Sequence, residues 1–484
     1  MTSTSNILHD AKPGPTQQLS TWVSSINLDQ VPQNIRIRAK YLILDGLACA
    51  LVGAHLPWSE KAANAILDME PAGDSTVFGW NRKIGPVSAA LINSTFIQGF
   101  ELDDFHSAAP LHSNSILIPA ILGASQHLIA RQEATVVSGS DFLLSMIVGY
   151  EVGPRVGLAL HGPHVLSQGW HSGAVFGPAA AAAAVGRLIG LSASQIEDAF
   201  GIACTQACGL MSAQFGSEVK RMQHGFASRN GLLAALLAKG GYVGIRGVFE
   251  HEYGGFLKQF SLGNGKTPQY MPTEIVKELG QTWTTEGVRV KPYASMGGTH
   301  PTIDCIRKLQ ENYPKQMQNV KAIKWITIEM GEAAFNHGGW KAARPLTSTG
   351  AQMSNAYIAA TQILDRQVLP AQFRCDMLER DEVWRLVDLT QCERAESLDS
   401  GYAQIVTIEF DNQPTLKQRV EGARGVNPPL ANDEILEKWR LLSKEIIDTE
   451  RRDNIEELVL GLDHCENISL LAELMSGVTL NPIA

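Results

Sequence analysis

The sequence has no CxxC pair, and its seven cysteines are scattered: Cys49, Cys204, Cys208, Cys305, Cys375, Cys392 and Cys465. An odd number spread over 484 residues argues against a secreted disulfide framework or a structural zinc site, and favours a reducing compartment. There is no long basic block and no basic-aromatic repeat, and the formal net charge is −9. Nucleic-acid binding, which rests on phosphate neutralisation by Lys and Arg, is not expected. Apolar runs are broken by Gly, Pro or charge before ~18 residues, so no membrane span is expected. The polar stretch MTSTSNILHDAKPGPTQQ has neither the apolar core of a signal peptide nor the Arg spacing of a transit peptide, which points to the cytoplasm. Nucleotide and hydrolase signatures are missing too: no GxGxxG after an expected strand, no GxxxxGK before Ser or Thr, no GxSxG. Cys204 and Cys208 alone cannot hold an iron–sulfur cluster, and both are read as core residues of one helix at i, i+4. Dehydrogenase, kinase, serine hydrolase and aconitase-type chemistries lose support, and no metal or organic cofactor is expected.

What is present is a globular composition, 44% hydrophobic and 18% charged, with helical periodicity over most of the chain. Ile35, Ala39, Leu42, Gly46 and Cys49 recur at spacings of four and three, which predicts a helix over 32–53 with Pro32 near its start. Six consecutive alanines, Ala179 to Ala184, mark a buried central helix whose small side chains let neighbours approach. Ser192 and Gln195 make a capping box for the next helix, and 223–240 reads as another, stopped by Gly240-Gly241. Near residue 287 the pattern changes. Ile326, Ile328 and Met330, and then Val406, Ile408 and Phe410, alternate with polar residues as strands do. Helical patterns at 301–312 and 350–365 lie between them. The chain therefore reads as mainly α with an inserted α+β domain. A helical domain occupies 16–286, an α+β lid domain 287–425, and the helical domain resumes over 426–484.

Four segments mix Gly, His and charge within apolar surroundings. Glu101-Leu102-Asp103-Asp104-Phe105-His106, continuing to His112, holds three carboxylates and two imidazoles. It is either a solvated loop with an Asp helix cap or an acid/base cluster in which a carboxylate orients a histidine and sets its pKa. Imidazoles six apart with no clear third ligand make a weak metal signal. His171, between glycines just before the alanine helix, suits anion binding at a helix N-terminus, or is a buried capping histidine. Lys220-Arg221-Met222-Gln223-His224, with Arg229 beyond, is the local positive cluster that an acidic chain otherwise lacks. Arg221 and Arg229 are expected on an exposed helix end, whereas Lys220 follows a Gly/Ser loop and can reach a cleft. Lys291-Pro292-Tyr293-Ala294-Ser295-Met296-Gly297-Gly298-Thr299-His300 lies at the expected domain junction, where clefts form.

Taken in order, AKYLILDGLACALVGA, ELDDFHSAAPLHSNS, QGWHSGAVFGPAAAAAA, GIACTQACGLMSAQFG, VKRMQHGFASRNG, KPYASMGGTHPTID and RPLTSTGAQMSNAYIAATQILD resemble the MmgE/PrpD family. The match runs through nearly the whole chain. The resemblance implies a large helical domain with a smaller lid, an active site between them, a homodimer, a small tricarboxylate substrate and no required metal. ACTQACGLMSAQFG and LHSNSILIPA look most like members that decarboxylate cis-aconitate to itaconate; other members dehydrate 2-methylcitrate or longer alkylcitrates. By position, the resemblance implies catalytic roles for Asp103, Asp104, His112, His171 and Lys220. It implies substrate-binding roles for Glu101, His106, Lys291, Tyr293, His300 and Gln352. Glu101 stands where the family's acidic motif begins with aspartate, and Met296 where animal itaconate-forming relatives carry a histidine. The expected function is a cofactor-independent lyase working through an enediolate-like intermediate, with Lys220 and a protonated His171 clamping carboxylates and His112 moving the proton. A non-catalytic scaffold or metabolite sensor on the same fold is the remote alternative. Convergence of His112, His171 and Lys220 on one cleft discriminates the two.

Overall fold

The helix expected over 32–53 runs from Gln33 to Gly53 (α1) in the computed structural model, which describes residues 12–214, 217–399 and 402–484. Its C-terminal half is buried on all sides rather than on one stripe, as a helix hydrophobic all round must be. Five more long helices complete the first layer: α2 (Pro86–Ile97), α3 (Ser113–Ala130), α4 (Gly139–Ala159), α5 (Ser172–Leu188) and α6 (Gln223–Lys239). The centre is α5, which packs on α3, α4, α6 and the helix Ala193–Cys204. Its six alanines are all buried, and the expected capping box of Ser192 and Gln195 opens the helix behind it. Cys204 ends that helix, buried. Cys208 lies beyond it and is exposed, because the chain turns out of the helix at Thr205, so the two thiols do not share a helix face.

Small side chains set the α5–α6 spacing. A Cβ added at Gly231 of α6 would lie 2.3 Å from the Ala181 Cβ and 2.6 Å from the Pro178 carbonyl oxygen. Gly231→Ala gains about 1 kcal/mol of helix propensity. Overpacking against backbone costs about 1–3 kcal/mol and more where neither side can give. We expect the variant to be destabilised by about 1–2 kcal/mol on balance, read as a lower urea midpoint at unchanged m-value.

The strand periodicities resolve into one four-stranded sheet: β1 (Ile323–Met330), β2 (Thr390–Arg394), β3 (Gln404–Phe410) and β4 (Gln413–Val420), in the order β2-β1-β3-β4. The β1–β2 pair is parallel and the others antiparallel. Ile326, Ile328 and Met330 point inward with Val406 and Ile408, and α7 (His300–Asn312) packs on β3 and β4. The pattern at 350–365 is interrupted: a short helix, Ser348–Met353, stops at Ser354, whose hydroxyl caps α8 (Asn355–Asp365) by accepting from the Tyr357 amide. The chain then returns to the helical layer, where α9 (Asn432–Ser443) lies along α1. A large helical domain thus carries a smaller α+β domain. By length and composition α4 could cross a membrane, but 94% of its apolar window is buried inside this fold.

Candidate active site

Three helices of the central layer begin at one place. His112 is the N-cap residue of α3, His171 is the N-cap of α5, and His224 is the second residue of α6. The His224 ring centroid lies 4.9 Å from that of His112 and 5.0 Å from that of His171. Such a meeting of helix N-termini directs backbone N–H groups and the positive ends of three macrodipoles at a common point, which favours an anion. The close approach requires Gly173, where a Cβ would sit 2.0 Å from Nε2 of His224.

The imidazoles differ in what surrounds them. Nδ1 of His112 is 3.0 Å from Oδ2 of Asp103, an ion-pair contact off the line of an aligned hydrogen bond, and the His112 side chain keeps 22% of its exposure. Burial works to raise the Asp103 carboxyl, but His112, with help from Lys291, outweighs it and holds the group below its ordinary value. His171 is buried, its Nδ1 has no partner among the described residues, and burial beside His112 and Lys220 pushes it down to about 3. The protonated His171 expected from the sequence is thus corrected: at neutral pH this ring is uncharged. His224 is fully buried and is held well below the usual imidazole range by burial, then by His112 and His171. Ser115 donates its hydroxyl hydrogen to the His112 carbonyl (2.8 Å), so Nδ1 of His224, 2.9 Å from the same hydroxyl oxygen, carries the ring proton.

Beside the histidines lies a cationic cage. Glu101 ends a short turn in the left-handed conformation (φ 57°), which aims its carboxylate inward. Lys220 donates to it, as do Arg221 (2.6 Å) and Lys291 (3.1 Å). Burial would raise the Glu101 carboxyl; Lys220, Lys291 and Arg221 together hold it well below the carboxylate range. Lys220 is lowered from its ordinary value by burial, which its contact with Glu101 partly offsets. Gln352 closes the cage from the lid: its amide donates to the carbonyls of Phe100 (2.9 Å) and Ala294 (3.0 Å), and its oxygen accepts from Arg221 at 3.3 Å. Arg221 is therefore no exposed helix end. It is buried, because Glu101 and Gln352 satisfy it, and its guanidinium lies 5.9 Å from the Trp58 ring. Arg229 remains half-buried on α6, against Phe226.

Four of the sequence-derived residues have other occupations. Asp104 is buried at the start of α3, where its two oxygens accept from the amides of Ser113 (2.9 Å) and Asn114 (3.0 Å); burial, then Asp103, raises it well above the usual range. This is the helix-cap alternative for the acidic segment. Nδ1 of His106 accepts from the amides of Ala108 (3.3 Å) and Ala109 (3.0 Å), and burial takes the ring down to about 4. The Tyr293 hydroxyl donates to Asp304 (2.6 Å) and accepts from Arg307 (2.9 Å). His300 stands edge-on to Tyr293, with Nε2 3.1 Å from the Ser295 carbonyl, and burial pushes it down to about 3. Among the described residues no group of three His, Cys, Asp or Glu side chains is arranged to hold a metal ion.

His300 makes a clean pH probe. A histidine near 6.5 when unfolded and near 3 when folded takes up its proton only on unfolding, so stability rises with pH between those values and is lost on acidification. The unfolding free energy should therefore fall between pH 6.5 and 4. The fall should be smaller in His300→Asn by up to ~1.4 kcal/mol per pH unit, whatever the carboxylates common to both proteins contribute. Chemical denaturation at pH 7, 6 and 5 gives the difference.

Behind the cage, Lys438 of α9 donates to the Leu102 carbonyl (2.8 Å) and pairs with Asp45 of α1 at 2.5 Å. Residues some 390 positions apart thus brace the acidic loop. The MmgE/PrpD N-terminal domain model matches residues 17–269, and the MmgE/PrpD C-terminal domain model matches 293–464. The chain belongs to the MmgE/PrpD family. It is similar to "Cis-aconitate decarboxylase-like protein oryM" of Aspergillus oryzae, 50% identical over 469 residues covering 96% of this chain and 97% of the relative. It is also similar to the cis-aconitate decarboxylase of Aspergillus terreus, 47% identical over 483 residues covering 98% of each. The human cis-aconitate decarboxylase is 22% identical over 473 residues, covering 96% of this chain and 94% of its own.

The residues that sequence reasoning missed are His224 and Arg221. Each stood in a segment already singled out; a histidine in the first turn of an apolar helix, however, carries the same pattern whether it packs in the core or faces a ligand.

Proposed function

We propose that this protein is a lyase that decarboxylates cis-aconitate to itaconate. The observation that carries the reading is the meeting of His112, His171 and His224 at one point beside Lys220, with Glu101 and Asp103 ionised there. The similarity to two fungal proteins named for this reaction, over nearly their whole length, supports it.

The substrate's carboxylates sit at the joined N-termini of α3, α5 and α6. The bond between the CH₂ arm and its carboxylate breaks and CO₂ leaves. Its electron pair forms the new terminal double bond, and the pair of the old double bond moves onto the carbon beside a retained carboxylate. The resulting enediolate-like charge meets the ammonium of Lys220. An ammonium has three donors: Glu101 takes one, which keeps Lys220 charged despite its burial, and the others serve the substrate. Donors aimed at developing charge are usually the largest catalytic contribution. The neutral N–H of His171 adds another. His112, oriented by Asp103, delivers a proton to the carbon and regains it from solvent, so that one proton is consumed for each CO₂ released. Asp104, His106, Tyr293, His300 and Gln352 position the loops around this centre. The family resemblance leads us to propose a homodimer, and we place it in the cytoplasm.

Feeding purified protein cis-aconitate should yield CO₂ and itaconate in equal amounts, identified by mass. If no CO₂ forms, yet 2-methylcitrate loses water and gains an ultraviolet-absorbing double bond, the dehydratase reading replaces this one.

A further inference from the structure

The acidic loop of the site is anchored at each of its residues. Glu101 holds three cations, Asp103 faces His112, and Asp104 caps α3. Between the first two lies Leu102, whose side chain is buried and whose carbonyl accepts from Lys438 at 2.8 Å. This one carbonyl separates the carboxylate that keeps Lys220 charged from the carboxylate that orients His112. A shift of it moves both. The donor is a lysine that is costly to keep there. Lys438 is buried on α9, with Asp45 of α1 as its counter-charge. Neither Asp45 oxygen has an aligned hydrogen bond among the described residues, so the directed bond of the ammonium is the one to Leu102. Burial works to lower the ammonium, but Asp45 outweighs it and keeps it charged. For packing one helix on another, an apolar pair of similar volume often serves as well as a buried ion pair or better. The ion pair therefore does for the loop what the packing of α9 on α1 does not require.

From this geometry we propose that Lys438 is a positioning residue of the active site: through the Leu102 carbonyl it sets the separation of Glu101 and Asp103, and with it the aim of Lys220 and His112. The inference rests on the decarboxylase reading for the roles of those two residues. Lys438 itself stands outside the substrate cleft. Lys220 and Glu101 line a cavity of about 740 Å³, whereas Lys438 lines a second one of about 360 Å³ that shares no lining residue with the first. Glu434, Glu437, Lys438 and Leu441 of α9 face this second cavity at the i, i+3, i+4 and i+7 spacing of one helix face, opposite Tyr293 and Arg307.

The second cavity supplies the test. Lys438→Ala joins the vacated volume to it, and an alkylammonium entering there can reach the Leu102 carbonyl. The variant should lose about 10²-fold in kcat, as a misplacement of about 1 Å far from the chemistry can, with a much smaller change in KM. Propylammonium should restore the rate saturably. Tetramethylammonium, which carries the charge but has no N–H to donate, should not. Lys438→Ala leaves Asp45 as a buried charge without its partner, so Asp45→Asn/Lys438→Met, which removes both charges at similar volume, is measured beside it. The double variant should unfold thermally as the unaltered protein does, show the same loss in kcat, and gain nothing from propylammonium because methionine fills the space. A near-normal kcat in either folded variant overturns the inference. So does a loss that both cations restore alike, or one that follows the folded fraction alone. The two readings fail separately. No CO₂ from cis-aconitate in the unaltered protein sinks the decarboxylase reading, and the positioning inference is then judged by the same ratio of variant to unaltered protein on 2-methylcitrate.

Discussion

His112→Ala should lower kcat by about 10²–10⁴, the usual contribution of a positioned general acid, with a much smaller change in KM. Among the described residues His112 is the one of the three clustered imidazoles with an ionised carboxylate at 3.0 Å, and its side chain keeps 22% of its exposure. His171, near 3, and His224, held well below the usual range, stay neutral through burial and mutual repulsion. Among the described residues neither is paired with a carboxylate that would stabilise a positive ring. A purely structural role for His112 predicts a different outcome: loss of activity in step with loss of folded protein, and no rescue. The acid role predicts a folded variant whose CO₂ release recovers partly on adding imidazole, and whose product takes up deuterium from D₂O without facial preference. An unchanged rate in folded His112→Ala would remove this residue from the proton path.

Lys220→Ala should cost about 10²–10³ in kcat, or about 2.7–4 kcal/mol of barrier, while the protein stays folded. The fold should survive because Arg221 and Lys291 still neutralise Glu101 and the vacated space opens to the cleft. Lys220 lines the cavity, whereas Arg221 and Lys291 do not and are held on Glu101, so the charge on the intermediate loses its donor there. Lys220→Arg should not restore the rate, because a planar fork cannot replace a compact point charge in a cage already holding one guanidinium. A near-normal kcat in folded Lys220→Ala would place the charge stabilisation elsewhere. A raised KM at unchanged kcat would reduce Lys220 to a binding residue that serves ground and transition states alike.

Local pattern was enough wherever one element decided the outcome. The alanine run predicted a buried helix because only small side chains permit the approach that Gly231 makes to Ala181, and β1 and β3 followed from alternation against a single buried face. Local pattern failed where partners came from far away. Arg221 reads as an exposed basic helix end, and only Glu101 and Gln352, 120 and 131 residues distant, make its burial tolerable. Asp103 and Asp104 are indistinguishable in sequence; one faces His112 and the other caps α3, because the loop turns between them.

The sequence by itself determined the elements, the mixed helical and α+β architecture, the family and the residue types available for the chemistry, since periodicity and motif order are properties of the chain. Tertiary structure alone decided the charge states and the partners. His171 became neutral because the packing of α3, α5 and α6 buried it beside His112 and Lys220. Glu101 became a clamp for three cations because the lid brought Lys291 to it across 190 residues. The cavity beside Lys220 was assembled from residues as far apart in the chain as Trp58 and Leu378. Burial, field and cavity shape are sums over neighbours in space, and the chain does not write those neighbours side by side.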